Sequence, residues 1–417
     1  MKRSISLLAL FLILTGQIFA GGFQINEHSA RAMAMSGAFT GVANDASAVW
    51  FNPAGIVQLN GTQLMVGATA IVPRSTFRGV SPDITQYDMQ HQTFTPYNFY
   101  LTRKISKKFA IGFGANNPFG LGTRWDNNWV GRYLALDTEV KTFAFHFVAA
   151  YELAKGFSVS AGVSYAHGSV TITKAKSLAP FVGDATIDLE GTANSFAFNA
   201  GFLWKPTESF SIGATYKSQY SFDFTGTATS QNPPQFNGRI PTGNISANLT
   251  TPAGIIVGVG VKPTNNLLLS FDYQWVGWSS YDKLKVTFND FTDQATGKPF
   301  VLSTPRNYNN TYILRFGAEY VLNNKLTLRG GVLYDHSPVP DEYVEPTLPD
   351  ANRLGFNGGI GYNITETVAI DVAYLYLRVN ERTISTSKIN YTDGVAPFNG
   401  VYNTYAHLFA VDLSFKF

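Results

Sequence analysis

From about Thr62 to its last residue the chain alternates with a period of two, apolar against polar or small, in runs of ten residues and more. Phe143, Phe145, Phe147, Ala149 and Tyr151 oppose Thr142, Ala144, His146, Val148 and Ala150, and Leu267, Leu269, Phe271, Tyr273 and Trp275 form a similar apolar row. Phe157–Tyr165 and Phe196–Trp204 repeat the pattern. Such alternation marks strands with two unlike faces. Strands of a soluble sandwich run about 5–6 residues, whereas about ten residues is what a tilted strand needs to cross a bilayer. The runs here have the membrane length.

The connections alternate in length as well. Short turns fall at Ser106–Lys108, Ala154–Gly156, Thr207–Ser209, Thr264–Asn266, Asn323–Lys325 and Thr365–Thr367. Long segments fall near 79–92, 116–138, 176–185, 229–243, 288–306, 336–351 and 385–399. Six turns and seven loops make thirteen connections and therefore fourteen strands, with both barrel ends on the side of the short turns. Short periplasmic turns, long extracellular loops and an even strand number describe a bacterial outer-membrane barrel. The closing strand is read in "LFAVDLSFKF", where Phe409, Val411, Leu413, Phe415 and Phe417 share one face. Asp272, Arg315, Glu319, Arg329, Arg353, Asp371 and Asp412 fall on the opposite, lumen-facing side. A Lys or Arg on the lipid face at mid-bilayer would cost about 2–4 kcal/mol.

Composition agrees. Charged residues are 14% of the chain and aromatics 14%, against roughly 25% charged in soluble domains. There is no Cys, which excludes a disulfide framework, a thiol nucleophile and a Cys-ligated metal. "MKRSISLLALFLILTGQIFA" has a basic start, an apolar centre and a small residue at Ala20, so residues 1–20 are expected to be a signal peptide. Subtracting Lys2 and Arg3 from 31 basic residues leaves 29 against 28 acidic ones, too nearly neutral to grip nucleic acid.

A fourteen-strand barrel is wider than the eight-strand kind that side chains alone can fill. Residues 21–60, which precede the barrel region 61–417, do not alternate and could fill it as a hatch or plug. Ala30–Phe39 suggests a short helix, and Phe23, Met33, Met35, Phe39, Trp50 and Phe51 supply apolar, adaptable surface for a lumen pocket.

"GGFQINEHSARAMAMSGAFTGVANDASAVWFNPAG" resembles the start of the mature chain in the outer-membrane long-chain fatty-acid transporter (FadL-like) family. The matching pieces are Gly22–Glu27, Ala43-Asn44-Asp45-Ala46 and Asn52-Pro53-Ala54, and Asn117–Tyr165 is similar to the family's third loop and following strands. The resemblance implies passive uptake of hydrophobic molecules, long-chain fatty acids first and hydrocarbons as the alternative. Capture on extracellular loops, a lumen pocket and sideways exit at a third-strand kink are implied with it. The gate would be Asn52, Pro53 and Ala54, facing a kink formed by Gly112, Gly114, Ala115, Asn116, Asn117 and Pro118.

The residues support part of this directly. "FAIGFGANNPFG" alternates as far as Ala115 and is then interrupted, and Pro118 cannot donate to a ladder. Either the third strand breaks there or Pro118 simply opens the loop. In that loop Phe119, Leu121, Trp125, Trp129 and Leu134 are unusually apolar; they form an exposed capture patch or fold back on the rim. Arg315, Arg329 and Arg353 are candidate lumen partners for a ligand carboxylate. The six His, at 28, 91, 146, 167, 336 and 407, form no H-E-x-x-H, and there is no nucleotide motif, so no enzyme, metal or cofactor is expected. The expected partners are a hydrophobic ligand and outer-membrane lipid, and a monomer is expected. A general porin is the other transport class, disfavoured by the plug and the apolar loop.

Overall fold

The computed structural model describes residues 21–181, 183–390 and 397–417. The expected signal peptide, residues 1–20, lies outside the described residues. Fourteen antiparallel strands are described, several of them interrupted once. They are β1 (Thr62–Arg78), β2 (Gln86–Asp88 and Tyr97–Lys104), β3 (Phe109–Asn116 and Gly120–Arg124), β4 (Asp137–Ala154), β5 (Phe157–Ser177) and β6 (Asp184–Thr207). There follow β7 (Phe210–Lys217 and Ser221–Gln231), β8 (Gly243–Thr250 and Gly254–Thr264), β9 (Leu267–Val276 and Lys283–Thr292) and β10 (Pro299–Pro305 and Thr311–Val321). The last four are β11 (Leu326–Asp335), β12 (Arg353–Asn363), β13 (Val368–Val379 and Arg382–Ile384) and β14 (Gly400–Lys416).

Each strand pairs with its chain neighbours, and β14 returns to pair with β1 from Gln63↔Lys416 to Arg78↔Val401. The sheet is closed. Closure removes the unpaired edge that a bilayer would not tolerate. Thr62 and Phe417 exchange both backbone hydrogen bonds, so the final aromatic belongs to the seam.

The alternation sets the register. On β5, Ser158, Ser160 and Ser164 are buried inside while Val163 stands 59% exposed outside. Phe147, Phe196, Phe271, Phe316, Phe356 and Phe409 are exposed on the same outer surface. Asp272 of β9 and Arg315 of β10 are direct cross-strand partners and both are buried, so the expected inward charges do face the lumen.

The N-terminal residues 21–60 lie inside, touching opposite walls. Asp412 of β14 accepts the Ala30 N–H (2.5 Å), and Asp272 of β9 accepts the N–H groups of Phe39 (3.1 Å) and Thr40 (2.9 Å). Ser158 Oγ of β5 donates to the Ala54 carbonyl at 2.8 Å. The helix expected over Ala30–Phe39 is only Ala30–Ala34 (α1), capped by Ser29. It stops because Ser36 (φ 58°) and Gly37 (φ 75°) turn left-handed. That turn brings Gly41 against the wall glycine Gly258, where a Cβ on Gly41 would sit 2.7 Å from Gly258 backbone atoms. A second short helix, α2 (Ala48–Phe51), and a 3-10 turn, Pro53–Gln58, complete the segment. Met35, Phe39, Val49, Phe51 and Ile56 pack there into one apolar cluster with Tyr100 and Val148 of the wall.

Candidate functional site

The third strand is where the wall is incomplete. The lower half of β3 pairs with β2 up to Phe99↔Ala115. Its upper half, Gly120–Arg124, has its ladder with β4, and on the β2 side the Gln90 N–H donates to the Arg124 carbonyl at 2.7 Å. Between them Asn117, Pro118 and Phe119 leave the ladder and turn toward the N-terminal segment. Gln24 and Phe119 form an isolated antiparallel bridge. The Ile25 N–H donates to the Pro118 carbonyl and the Gly120 N–H to the Phe23 carbonyl, both at 3.0 Å. The break is therefore a satisfied one; of the two readings of Pro118, a broken strand or the start of a loop, the strand bounds Phe109–Asn116 and Gly120–Arg124 describe the first.

Side chains complete the patch. Asn117 Oδ1 accepts the Tyr97 N–H of β2 (3.0 Å), and its Nδ2 donates to the Thr142 carbonyl of β4 (2.9 Å). Thr142 Oγ1 accepts the Phe119 N–H at 2.9 Å. Asn116 reaches inward, its Nδ2 donating to Tyr100 (3.2 Å) and its Oδ1 meeting His146 Nε2 (2.9 Å). Tyr100 in turn donates to the His28 carbonyl at 3.1 Å. Gly112 and Gly114 face inward without side chains because Val49 occupies that space: a Cβ on either would lie 2.7–2.8 Å from its methyls.

A cavity of about 560 Å³ follows this break. Its lining includes the lumen groups Phe23, Glu27 and Arg353 together with the outward-facing Tyr97, Lys141 and Phe143. Tyr97 and Phe143 flank the outer mouth with ring centroids 5.4 Å apart. Farther up, an apolar cavity is lined by Leu121, Val170, Ile172, Leu189, Phe224 and Leu284, with Phe23 at its base.

A third chamber adjoins Trp50. Lys217 of β7 holds its Nζ 3.3 Å above the Trp50 ring. The rings of His28 and His146 stand 4.6 and 5.2 Å from the same indole. Asn199, Tyr220, Ile256 and Gln274 close the chamber. Among the described residues no carboxylate makes an ion pair with Lys217. Burial, with repulsion from Lys217, holds the His28 imidazole down at about 3, so that ring is neutral. Burial pushes the Glu27 carboxyl up, against the Asn26 N–H and the nearby Arg315 and Arg353 that favour its charge.

The remaining sequence-selected residues divide. Asn52, fully buried, is not at the third-strand kink. Its Nδ2 donates to the Thr40 carbonyl (3.0 Å) and to the Phe202 carbonyl of β6 (2.9 Å), and Ala54 is tied to β5. This corrects the expected contact: Val49 and Ile56, flanking Asn52-Pro53-Ala54, are the residues that meet Gly112, and Phe23–Ile25 meets the break itself. Trp125 and Trp129 do not form an exposed patch. They are 1% and 2% exposed, stacked at 4.3 Å, and their indole N–H groups donate to the carbonyls of Pro346 and Ala135. The loop folds back because each indole finds an apolar bed and an acceptor there; Leu134 packs partly buried against it, and only Phe119 and Leu121 reach the cavities.

The three lumen arginines are already engaged. Arg329 pairs with Glu319 and Asp371 (2.6 Å each), and Glu319 also holds Arg31, which reaches Asp45. Arg353 pairs with Asp350 (2.8 Å), and Arg315 donates to Gln274 (2.6 Å) and Asn26 (3.1 Å) beside Asp272. Met33 lines a small chamber beside Arg315, whereas Met35, Phe39 and Phe51 serve as packing. Lys217 was readable but not selected: Phe210, Ile212, Ala214 and Tyr216 face out, which puts Ser211, Gly213, Thr215 and Lys217 inside.

The sequence model of the family described as "Outer membrane protein transport protein (OMPP1/FadL/TodX)" matches residues 11–417. The chain belongs to this family. Like its members it is an outer-membrane β-barrel. A long-chain fatty acid transport protein of Salmonella typhi is 25% identical, over 88% of this chain and 89% of that protein. The crystal structure of a Pseudomonas aeruginosa FadL homologue superposes with a TM-score of 0.86 at 21% identity, covering 95% of this chain and all of that one. The toluene transporter TbuX of Ralstonia pickettii gives a TM-score of 0.72 at 19% identity, over 94% and 99% of the two chains. The OMPP1/FadL/TodX fold therefore extends over nearly the whole protein.

Proposed function

We propose that this protein carries long-chain amphipathic acids, fatty acids foremost, from the cell exterior into the outer membrane by passive diffusion. The ligand enters the upper apolar cavity, passes Phe23, and leaves sideways through the opening where Asn117–Phe119 quit the β3 ladder. Residues 21–60 act as a hatch that blocks the straight path through the lumen, after residues 1–20 direct export. The observation that supports the route is one cavity at the β3 break lined by both lumen-facing and outward-facing side chains.

An acid is preferred over a neutral hydrocarbon because of Lys217. Of the three arginines named from sequence, Arg329 and Arg353 are ion-paired and Arg315 is held by Gln274 and Asn26, whereas Lys217 has an aromatic face and, among the described residues, no carboxylate. A ligand carboxylate would supply the missing charge-assisted hydrogen bond while its chain lies along Trp50, Tyr220 and Ile256. The Salmonella relative named for long-chain fatty acids agrees with this choice.

The route is tested by deleting Asn117, Pro118 and Phe119, which lets β3 run straight. Uptake of a radiolabelled long-chain acid is measured in cells lacking other carriers, with heat-modifiable migration confirming a folded barrel. Folded protein without uptake is expected. Full uptake by the straightened barrel would refute the sideways exit.

A further inference from the structure

Asp335, the last residue of β11, is 4% exposed, and among the described residues its Oδ1 has no hydrogen-bond partner. Its cross-strand partner Arg353 is turned away, donating to Asp350 and to the Gly22 carbonyl, both at 2.8 Å. Asp350 is fully engaged by Arg353, Ser337 and the Gly22 N–H. What does lie against Asp335 is Gly21: a Cβ built on Gly21 would sit 2.3 Å from Oδ1 and 2.7 Å from Oδ2. A backbone nitrogen is ~2.5 Å from such a Cβ, so the Gly21 nitrogen lies within ~5 Å of Oδ1 before any adjustment.

The neighbouring cations are committed elsewhere: Arg353 pairs with Asp350, and Arg315 lies beside its buried cross-strand partner Asp272 and donates to Gln274 and Asn26. Among the described residues Asp335 is thus a buried carboxylate with no hydrogen-bonded cation, a costly arrangement.

We infer that Gly21 is the mature amino terminus and that its α-ammonium is the counter-ion of Asp335. Cleavage of the Ala20–Gly21 peptide bond by hydrolysis leaves a carboxylate on Ala20 and a free amine on Gly21, which takes up a proton at neutral pH. The cation so formed gives Asp335 the partner that Arg353 gives Asp350. Gly22 lacks a side chain for a related reason: it has φ +71° and a Cβ would lie 2.5 Å from the Trp278 ring, so the terminus threads between Trp278 and Asp335. Removal of the leader thereby anchors the chain just ahead of Phe23–Ile25, whose backbone patches the β3 break. The ion pair is a processing-dependent latch. It rests on export with leader removal, not on the identity of the transported molecule.

Two measurements on protein purified from outer membranes test this. Amino-terminal sequencing should start at Gly21; a start elsewhere overturns the assignment. Acylation of the α-amine at pH 7.5 should then be at least tenfold slower in the folded barrel than in urea-unfolded protein, and Asp335→Asn should remove most of that protection. Asp335→Glu should keep it. Equal acylation rates for folded and unfolded wild-type protein would overturn the ion pair even if the variants fail to fold. Neither readout depends on uptake, so they stand or fall separately from the transport reading.

Discussion

Asn117 holds the Thr142 carbonyl at 2.9 Å from β3's broken end, and the same side chain accepts the Tyr97 N–H across the gap. One amide side chain thus stands where a peptide unit of the third strand would have been. It lets the wall open without leaving backbone groups unpaired beside lipid.

Asn117→Ala should therefore destabilise the barrel locally by about 2–3 kcal/mol, since two hydrogen bonds are lost and an N–H near lipid is left bare. The check is the unfolding midpoint by heat-modifiable migration, together with hydrogen exchange at Tyr97. Unchanged exchange there would show that the side chain is not the bridge.

Lys217→Met should weaken binding of a long-chain acid at least tenfold, about 1.4 kcal/mol, and leave a neutral hydrocarbon of the same length unaffected. Lys217→Arg should retain most of the affinity. Fluorescence titration with the acid and its methyl ester separates charge from packing. Equal losses for both ligands would remove the electrostatic role.

Trp125→Ala and Trp129→Ala should act on stability, about 3–5 kcal/mol each as for large core truncations. Protease sensitivity of the third loop should rise in parallel. A surface capture patch would behave oppositely, losing ligand affinity with the loop intact.

Glu319→Gln leaves Arg31 and Arg329 sharing too little negative charge inside the lumen, where removing one partner of a buried pair costs about 3–5 kcal/mol. The N-terminal segment should loosen, and planar-bilayer recordings should show ion conductance that the wild-type protein lacks. A silent Glu319→Gln channel would mean that this network does not hold the segment.

Much of the barrel was legible because the bilayer imposes a strict two-residue period. Phe147 and Val163 must face out, Asp272 and Arg315 must face in, and the short and long connections follow. The break at Asn117–Phe119 was visible through Pro118, a residue that cannot serve the ladder. What joins the break was not visible: Gln24 and Phe119 are ninety-five positions apart and carry no shared pattern. The lumen arginines misled because a charge on an inward position says nothing of its partner; Arg329 is claimed by Glu319 and Asp371, and only three-dimensional neighbours show that, among the described residues, Lys217 meets the Trp50 ring and no carboxylate. The loop tryptophans misled because the acceptors that bury them, at Ala135 and Pro346, come from different parts of the chain.

The absence of Cys allows the central claim to be tested in one protein sample. Thr95, exposed and lining the cavity at the β3 break, is replaced in Thr95→Cys and modified with a bulky methanethiosulfonate reagent. Uptake of a radiolabelled long-chain acid should fall to background on modification and return when the adduct is reduced. Uptake that continues undiminished through the fully modified barrel would contradict the sideways exit.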